Sequence, residues 1–148
     1  MKTILACTDF SGVSGKIIDY SIRLGEAFNL KVYVVHVAAP EPDFVGNEAG
    51  PQKLRDIRAD ELTEKHKQLF NLKEKIQNRG VEAEALLIQG KTVEEIFSMA
   101  EKINAEFIVI GSRKHGVLHK AFRGSVLHSV LSDSNIPLVV IPQEKDEG

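Results

Sequence analysis

Residues 107–125, Phe-Ile-Val-Ile-Gly-Ser-Arg-Lys-His-Gly-Val-Leu-His-Lys-Ala-Phe-Arg-Gly-Ser, decide the fold. The first four residues are apolar without polar alternation, as in strands that are buried on both faces of a parallel sheet. A loop with glycines at 111 and 116 follows, and Gly124 with Ser125 then opens a segment of helical periodicity. A buried strand, a glycine-bearing loop and a helix in direct succession are typical of an α/β protein.

The rest of the chain repeats this alternation of apolar strands and amphipathic helices. Four further strands are predicted, at Thr3 to Thr8, Lys31 to Val37, Val81 to Ile88 and Pro137 to Ile141. The helices between them carry apolar stripes; that of the second comprises Leu54, Ile57, Leu62, Leu69, Leu72 and Ile76, with lysines and glutamates opposite. Right-handed crossovers then predict a three-layer α/β sandwich, Rossmann-like, with a five-stranded parallel sheet in the order 3-2-1-4-5.

Local signals predict where several of these elements begin and end. Residues 92–95, Thr-Val-Glu-Glu, have the pattern of a capping box that opens the third helix. Gly80 lies where the second helix should end. The segment Ala39 to Pro51 contains three prolines and two glycines, which predicts a loop that folds over the mouth of the crevice.

Length and composition narrow the class of protein. A chain of 148 residues with 19 basic and 21 acidic side chains fits one domain, predicted over 1–143 with a charged tail at 144–148, and disfavours nucleic-acid and membrane partners. The first residues are interpreted as a strand rather than a signal peptide, and no apolar run approaches the roughly 20 residues of a membrane span. The single cysteine, Cys7, favours a reducing, cytoplasmic compartment.

The strand order predicts where a ligand would bind. Strands 1 and 4 are neighbours whose connections leave in opposite directions, and open α/β sheets bind ligands in the crevice at such a switch point. The residues to consider follow Thr8 and Ile110.

The loop after the fourth strand has the chemistry of a phosphate site. Glycines let backbone N–H groups approach phosphate oxygens, and the helix that starts near Ser125 offers free N–H groups and the positive end of its dipole. Arg113 and Lys114 add positive charge, and Gly116 offers a turn position. The alternative is that Gly111 merely ends a strand and that Gly124 and Ser125 merely cap a helix.

Several segments together resemble the universal stress protein family. Its ATP-binding members carry Gly, two residues, Gly, nine residues, Gly and Ser or Thr after the fourth strand, which Gly111, Gly124 and Ser125 match. The resemblance continues over nearly the whole chain, in residues 8–11, 36–37, 90, 94–96, 108–112 and 136–140. The joint occurrence of these segments is far more specific than any one of them.

The resemblance implies a nucleotide-binding regulatory protein. Its ligand would be ATP, with AMP or ADP as alternatives, and Mg²⁺ could accompany the phosphates. Thr8 and Asp9 would lie near the ribose and phosphates, and the backbone around Val37 would bind the adenine. For Asp9 the structural alternative is capping of the first helix. No catalytic set is evident; the family implies at most slow hydrolysis or self-phosphorylation at Ser125.

The resemblance also implies a homodimer that forms through the fifth strand. That strand is predicted to lie at an edge of the sheet, where unpaired backbone groups invite a partner. The segment concerned comprises Pro137, Leu138, Val139, Val140 and Ile141.

One departure from the family motif leaves a second hypothesis open. Lys114 occupies the position of the second glycine, so the chain could instead be an interaction or chaperone-like dimer that has lost ATP binding. A third hypothesis is a flavodoxin-like flavoprotein, suggested by the hydroxyls and glycines between Thr8 and Lys16 but weakened by the absence of tryptophan. His115 and His119 lack the further ligands of a zinc site.

Overall fold

The computed structural model describes residues 2–10, 14–38, 49–112 and 122–142, with side chains at all of these except 49–55 and 122–126. The strands are β1 (Thr3–Cys7), β2 (Lys31–Ala38), β3 (Ala83–Gln89), β4 (Ala105–Ser112) and β5 (Leu138–Pro142). The helices are α1 (Ser14–Phe28), α2 (Ala49–Asn78), α3 (Thr92–Lys102) and α4 (Phe122–Asp133). All five predicted strands are present, with bounds shifted by a few residues.

The sheet has the predicted topology. Its five strands are parallel and lie in the order β3-β2-β1-β4-β5, so β1 is central. In the register of the centre, Ala6 lies between Val34 of β2 and Val109 of β4. The α/β fold class and the strand order predicted from the sequence are confirmed.

Two apolar clusters hold the helices to the two faces of the sheet. On one face α1 and α2 pack through fully buried residues such as Ile18, Ile22 and Ile76. On the other face α3 packs through Ile96 and Ala100, and α4 lies beside α3 against β4. The consecutive apolar residues of β1 serve both faces, because Ile4 belongs to the first cluster and Leu5 to the second.

The turn from β3 to α3 differs from its prediction. The N-cap of α3 is Lys91, with extended backbone and no side-chain cap bond, and Thr92 is already the first helical residue. The capping box predicted at 92–95 is therefore wrong, since Glu95 is one position too far into the helix to close it. The helix starts early because Gly90, at φ 156°, makes the turn by itself, and the Glu95 side chain folds against it. Gly80, at φ 88°, does follow the end of α2 as predicted.

Helix α2 is longer than predicted, and its inward face is different. It begins at Ala49, so the end of the predicted loop is helical; residues 39–48 lie outside the described part. Pro51 is compatible with a first turn, where no intrahelical N–H bond is needed. Ile57, placed on the apolar stripe by the sequence analysis, is 50% exposed, whereas Lys65 is half-buried between Leu62 and Leu69. Helical spacing therefore brings a lysine, rather than Ile57, toward the sheet.

The fifth strand lies at a sheet edge, as predicted. Among the described strands it pairs only with β4, and Val140 is 37% exposed there. No helix within the described ranges is long and apolar enough to cross a membrane.

Candidate functional site

The carboxyl ends of β1 and β4 lie side by side at the switch point. Because Ala6 pairs with Val109, continuing the register brings Thr8 opposite Gly111, and neighbouring strands are about 4.8 Å apart. Helix α1 leaves β1 toward one face of the sheet, and α4 follows β4 toward the other. The crevice predicted from the strand order is therefore bounded by these two strand ends.

Thr8 organises the turn that leaves β1. Its backbone N–H donates to the Val35 carbonyl at 2.9 Å, which anchors it to β2. Its hydroxyl shares a 2.7 Å hydrogen bond with the Ser14 hydroxyl, at the first residue of α1, and accepts the Phe10 N–H at 3.0 Å. Thr8 and Ser14 are both buried, so this network ties the strand end to the helix start away from water.

His36 fixes the same turn from β2. Its Nδ1 lies 2.8 Å from the Thr8 carbonyl oxygen. A carbonyl can only accept, so Nδ1 carries the hydrogen and, in the neutral ring, Nε2 is the acceptor nitrogen. The ring also lies 4.8 Å from that of Phe10, at 46°. Val37, the predicted adenine contact, is the next residue of β2 and is half-buried.

Asp9 lies between Thr8 and Phe10 in a turn with unusual backbone geometry. Phe10 has φ 63°, in the left-handed region, where a residue with a bulky side chain is uncommon. The other two non-glycine residues described at positive φ, Asn29 and Asn104, are of the type that tolerates it. Asp9 itself is half-buried. The strained turn thus carries an acidic residue just after the end of β1.

The β4 side of the crevice is described in part. Gly111 does not end its strand, because β4 continues to Ser112 and Gly111 pairs with Ile141 of β5. Helix α4 begins at Phe122, two residues before the predicted start, so Gly124 and Ser125 lie inside its first turns rather than before it. The N–H groups of that first turn have no partner within the helix. Arg113, Lys114 and Gly116 lie outside the described residues.

The thiol at the end of β1 is not reactive, and the side chains described around this turn form no metal cluster. Burial raises the pKa of the Cys7 thiol to about 12, so Cys7 is a packing residue at neutral pH. Among the described side chains there is no group of three or more His, Cys, Asp and Glu placed to hold a metal ion.

Two side chains near Asp9 were not identified as site residues from the sequence. Nothing in the sequence marks Phe10 for positive φ, since aromatic residues rarely adopt it. Lys65 lies with its Nζ 5.8 Å from the centroid of the Phe10 ring. The signal for Lys65 was its helical spacing with Leu62 and Leu69, which places a cation on the inward face of α2.

Comparison with known proteins identifies the family. The model of the universal stress protein family matches residues 1–142, so the chain belongs to this family. A universal stress protein of Thermus aquaticus is 30% identical over 141 residues, which are 95% of this chain and 98% of the relative. One from Methanocaldococcus jannaschii is 28% identical over 148 residues, 99% of this chain and 85% of the relative.

Solved structures show the same fold. A universal stress protein from Archaeoglobus fulgidus superposes with a TM-score of 0.72 at 25% identity, over 95% of this chain and 98% of that one. A structure of the Archaeoglobus fulgidus protein in complex with dAMP gives 0.69 at 21% identity, with 95% and 98% covered. An Arabidopsis thaliana family member with AMP bound gives 0.70 at 18% identity, with 99% and 95% covered. Nucleotide binding thus occurs within the family on this fold.

Proposed function

We propose that this chain binds an adenine nucleotide at the carboxyl ends of β1 and β4 and acts as a regulatory protein of the stress response. The observation that carries the proposal is the turn at Thr8, in which four hydrogen bonds from β2, α1 and the turn itself hold Asp9 at the switch point. A turn of this kind keeps a carboxylate in place before a ligand arrives, which lowers the cost of binding.

The complexes of relatives with dAMP and AMP support this choice of ligand. In the proposed complex, the Asp9 carboxylate accepts hydrogen bonds from ribose hydroxyls and the backbone at Val37 contacts the adenine. Phosphates lie at the first turn of α4, where free N–H groups and the helix dipole favour anions. Arg113, Lys114 and the glycines at 111, 116 and 124 complete the phosphate site.

ATP is the proposed physiological nucleotide, with Mg²⁺ on its phosphates. Magnesium typically takes one or two protein carboxylates and fills its other positions with phosphate oxygens and water. Asp9 fits that role as a single carboxylate beside the phosphate site. When bound, the ion would neutralise phosphate charge; Asp9 would hold it in addition to its ribose contact, and the first turn of α4 would orient the phosphates.

A second function, action through a dimer surface without nucleotide, is favoured by one observation. Strand β5 leaves an edge open within the described sheet and exposes Val140 beside it. Antiparallel pairing of two β5 strands across a two-fold axis would satisfy both edges with the same residues, 137–141. We propose this homodimer for either function, for a single domain over 1–143 in the cytoplasm.

The test is calorimetric titration of nucleotide-stripped protein with ATP and Mg²⁺, and with AMP, beside two variants. Micromolar binding by the native chain is expected, and Gly124→Leu should abolish it. Leucine is favoured over glycine inside a helix by about 1 kcal/mol, so α4 should remain folded and the melting temperature should not fall.

The Lys114→Gly variant separates the two functions. If the native chain binds nucleotide, Lys114 is tolerated at the motif position and the nucleotide-dependent function stands. If only Lys114→Gly binds, the surface-acting dimer is the better description. Absence of binding by both, with visible absorbance from a copurified flavin, would favour the flavodoxin-like alternative.

A further inference from the structure

Helix α2 changes character where it passes the end of the sheet. Its inward positions, four or three residues apart, are Arg58, Leu62, Lys65, Leu69, Leu72 and Ile76. Leu69 and Ile76 are buried in the core, with Leu72 packed against it. One turn before Leu69 the inward residue is a lysine, and two turns further back it is an arginine. Cations therefore enter the stripe, with Leu62 between them, as the helix leaves the core.

Lys65 reaches the candidate site at this transition. Its ammonium lies 5.8 Å from the centroid of the Phe10 ring, and Phe10 directly follows Asp9. The same ring contacts His36, whose Nδ1–H is donated to the Thr8 carbonyl. Side chains from α2 and β2 thus converge on one aromatic ring next to the proposed ribose contact.

The side chain of Lys65 is partly buried, and its ammonium group remains available to an incoming phosphate. Lys65 is half-buried, unlike its exposed neighbours His66 and Lys67. Lys73 and Lys75 of the same helix lie 3.5 and 3.8 Å from carboxylates, whereas the described contact of Lys65 is an aromatic face. A cation–π contact of this exposure is weak, and a charge-assisted bond to a phosphate is stronger, so an incoming phosphate would draw the ammonium away from the ring.

We infer that Lys65 is a phosphate-binding residue that approaches a bound nucleotide from α2. This inference rests on the proposed nucleotide function and adds to it a source of selectivity. The flexible four-carbon stem lets the ammonium move from the Phe10 ring to a phosphate oxygen. The crevice then prefers phosphorylated nucleotides to the free nucleoside through a residue outside the glycine motif.

The test compares AMP with adenosine, because the two ligands differ only in the phosphate. Lys65→Gln should weaken AMP binding by about tenfold, as expected for the loss of one charged hydrogen bond, and leave adenosine binding unchanged. Lys65→Arg should restore most of the affinity for AMP. The matched control is Lys67→Gln, which removes the same charge from an exposed position two residues away and should change neither affinity.

A double-mutant cycle tests the role of the Phe10 ring. Phe10→Leu should strengthen AMP binding by about twofold, because the ammonium no longer has to leave a weak cation–π contact to reach the phosphate. In a chain that already carries Lys65→Gln, the same change should have no further effect on the preference for AMP over adenosine. An effect of Phe10→Leu that persists unchanged in the Lys65→Gln chain would show that Phe10 and Lys65 act separately.

The outcomes distinguish a failure of this inference from a failure of the proposed function. Equal losses of AMP and adenosine in Lys65→Gln would overturn the inference, because they would show that Lys65 only packs against the turn. Unchanged binding of both ligands would overturn it as well, while the proposed function would stand on the native protein. Failure of the native chain to bind either ligand or ATP would instead reject the proposed function, and this inference with it.

Discussion

Two turns at the carboxyl-terminal end of the sheet, one from β1 to α1 and one from β3 to α3, are built by different means. At β3 a glycine with φ 156° turns the chain, and the helix starts with an N-cap that makes no side-chain bond. At β1 a phenylalanine with φ 63° does so, held by the side chains of Thr8, Ser14 and His36. The simpler turn connects elements, whereas the costly one fixes an acidic side chain at the switch point.

Backbone strain of this kind typically persists where surrounding contacts over-determine it. Around Phe10 those contacts are a hydroxyl pair, an imidazole and a backbone bond to β2, all at the switch point where we propose that a nucleotide binds. The contrast predicts that the protein loses stability when a side chain that holds the β1 turn is removed. At the β3 turn we expect a loss of stability only when the glycine backbone is constrained.

The largest effect is expected at Thr8. Thr8→Val keeps the shape but leaves the buried Ser14 hydroxyl without this hydrogen-bond partner and the Phe10 N–H without its acceptor, which should lower the free energy of unfolding by about 2–3 kcal/mol. Chemical denaturation measures this loss, and nucleotide affinity should fall with it. Thr63→Val is the control, since Thr63 donates to the Ala59 carbonyl on the exposed side of α2 and should change stability by about 0.5 kcal/mol or less. Equal losses in both variants would show that the hydrogen bonds of Thr8 contribute no more to stability than that of an exposed threonine.

A smaller effect is expected at Gly90. Gly90→Ala places a Cβ at positive φ, 2.7 Å from Oε2 of Glu95, and should cost about 1–2 kcal/mol. The Glu95 carboxylate is the movable end of a flexible side chain, so Gly90→Ala with Glu95→Ala should recover the steric part and keep about 1 kcal/mol of backbone strain. Thermal and chemical unfolding of the two variants and of Glu95→Ala separate the steric cost from the cost of backbone strain. Full recovery in the double variant would show that φ is not strained there.

The smallest effect concerns Cys7, the strand residue just before Thr8. Its pKa rises from 9.0 to about 12 on folding, so the native thiol stays protonated where the unfolded one ionises. The stability that this provides is complete below pH 9 and is lost as the pH rises toward 12, by about 1 kcal/mol within the first pH unit. Unfolding curves at pH 8 and pH 10 should show this loss in the native chain and not in Cys7→Ala. A native thiol that reacts rapidly at pH 8 would contradict the assignment.

The sequence predicted the sheet well because short apolar runs bounded by turn residues, such as 107–110, alternate with amphipathic helices along the chain. This alternation, with right-handed crossovers, predicted the order of the strands. Helix faces were harder, because the stripe of α2 shows which residues can share a face but not where the sheet beneath them ends. Ile57 was misplaced for that reason, and Lys65 was overlooked.

The sequence predicted that the candidate site lies at the ends of particular strands, but it did not predict the geometry of the residues there. Thr8, Asp9 and Val37 could be placed from strand order and family resemblance. The positive φ of Phe10 could not, because it results from tertiary contacts with β2 and α1 that outweigh the local preference of an aromatic residue. The third helix shows the opposite error. Residues 92–95 have the local pattern of a capping box, but the helix starts one residue earlier than that pattern requires, directly after the turn at Gly90, so the box does not form.

The central place of β1 also sets an order of events during synthesis. The first strand made has neighbours on both sides, and one of them, β4, comes about a hundred residues later; the Thr3 hydroxyl donates to the Ile103 carbonyl across that interval, at 3.0 Å. At about 5 to 20 residues per second, an emerging chain spends roughly 5 to 20 s with that side of β1 unpaired. Only the arrival of β4 covers that side of β1, so the half of the crevice that depends on Gly111 is assembled late. Ligand can then act only on a finished domain, and cannot guide the early stages of its folding.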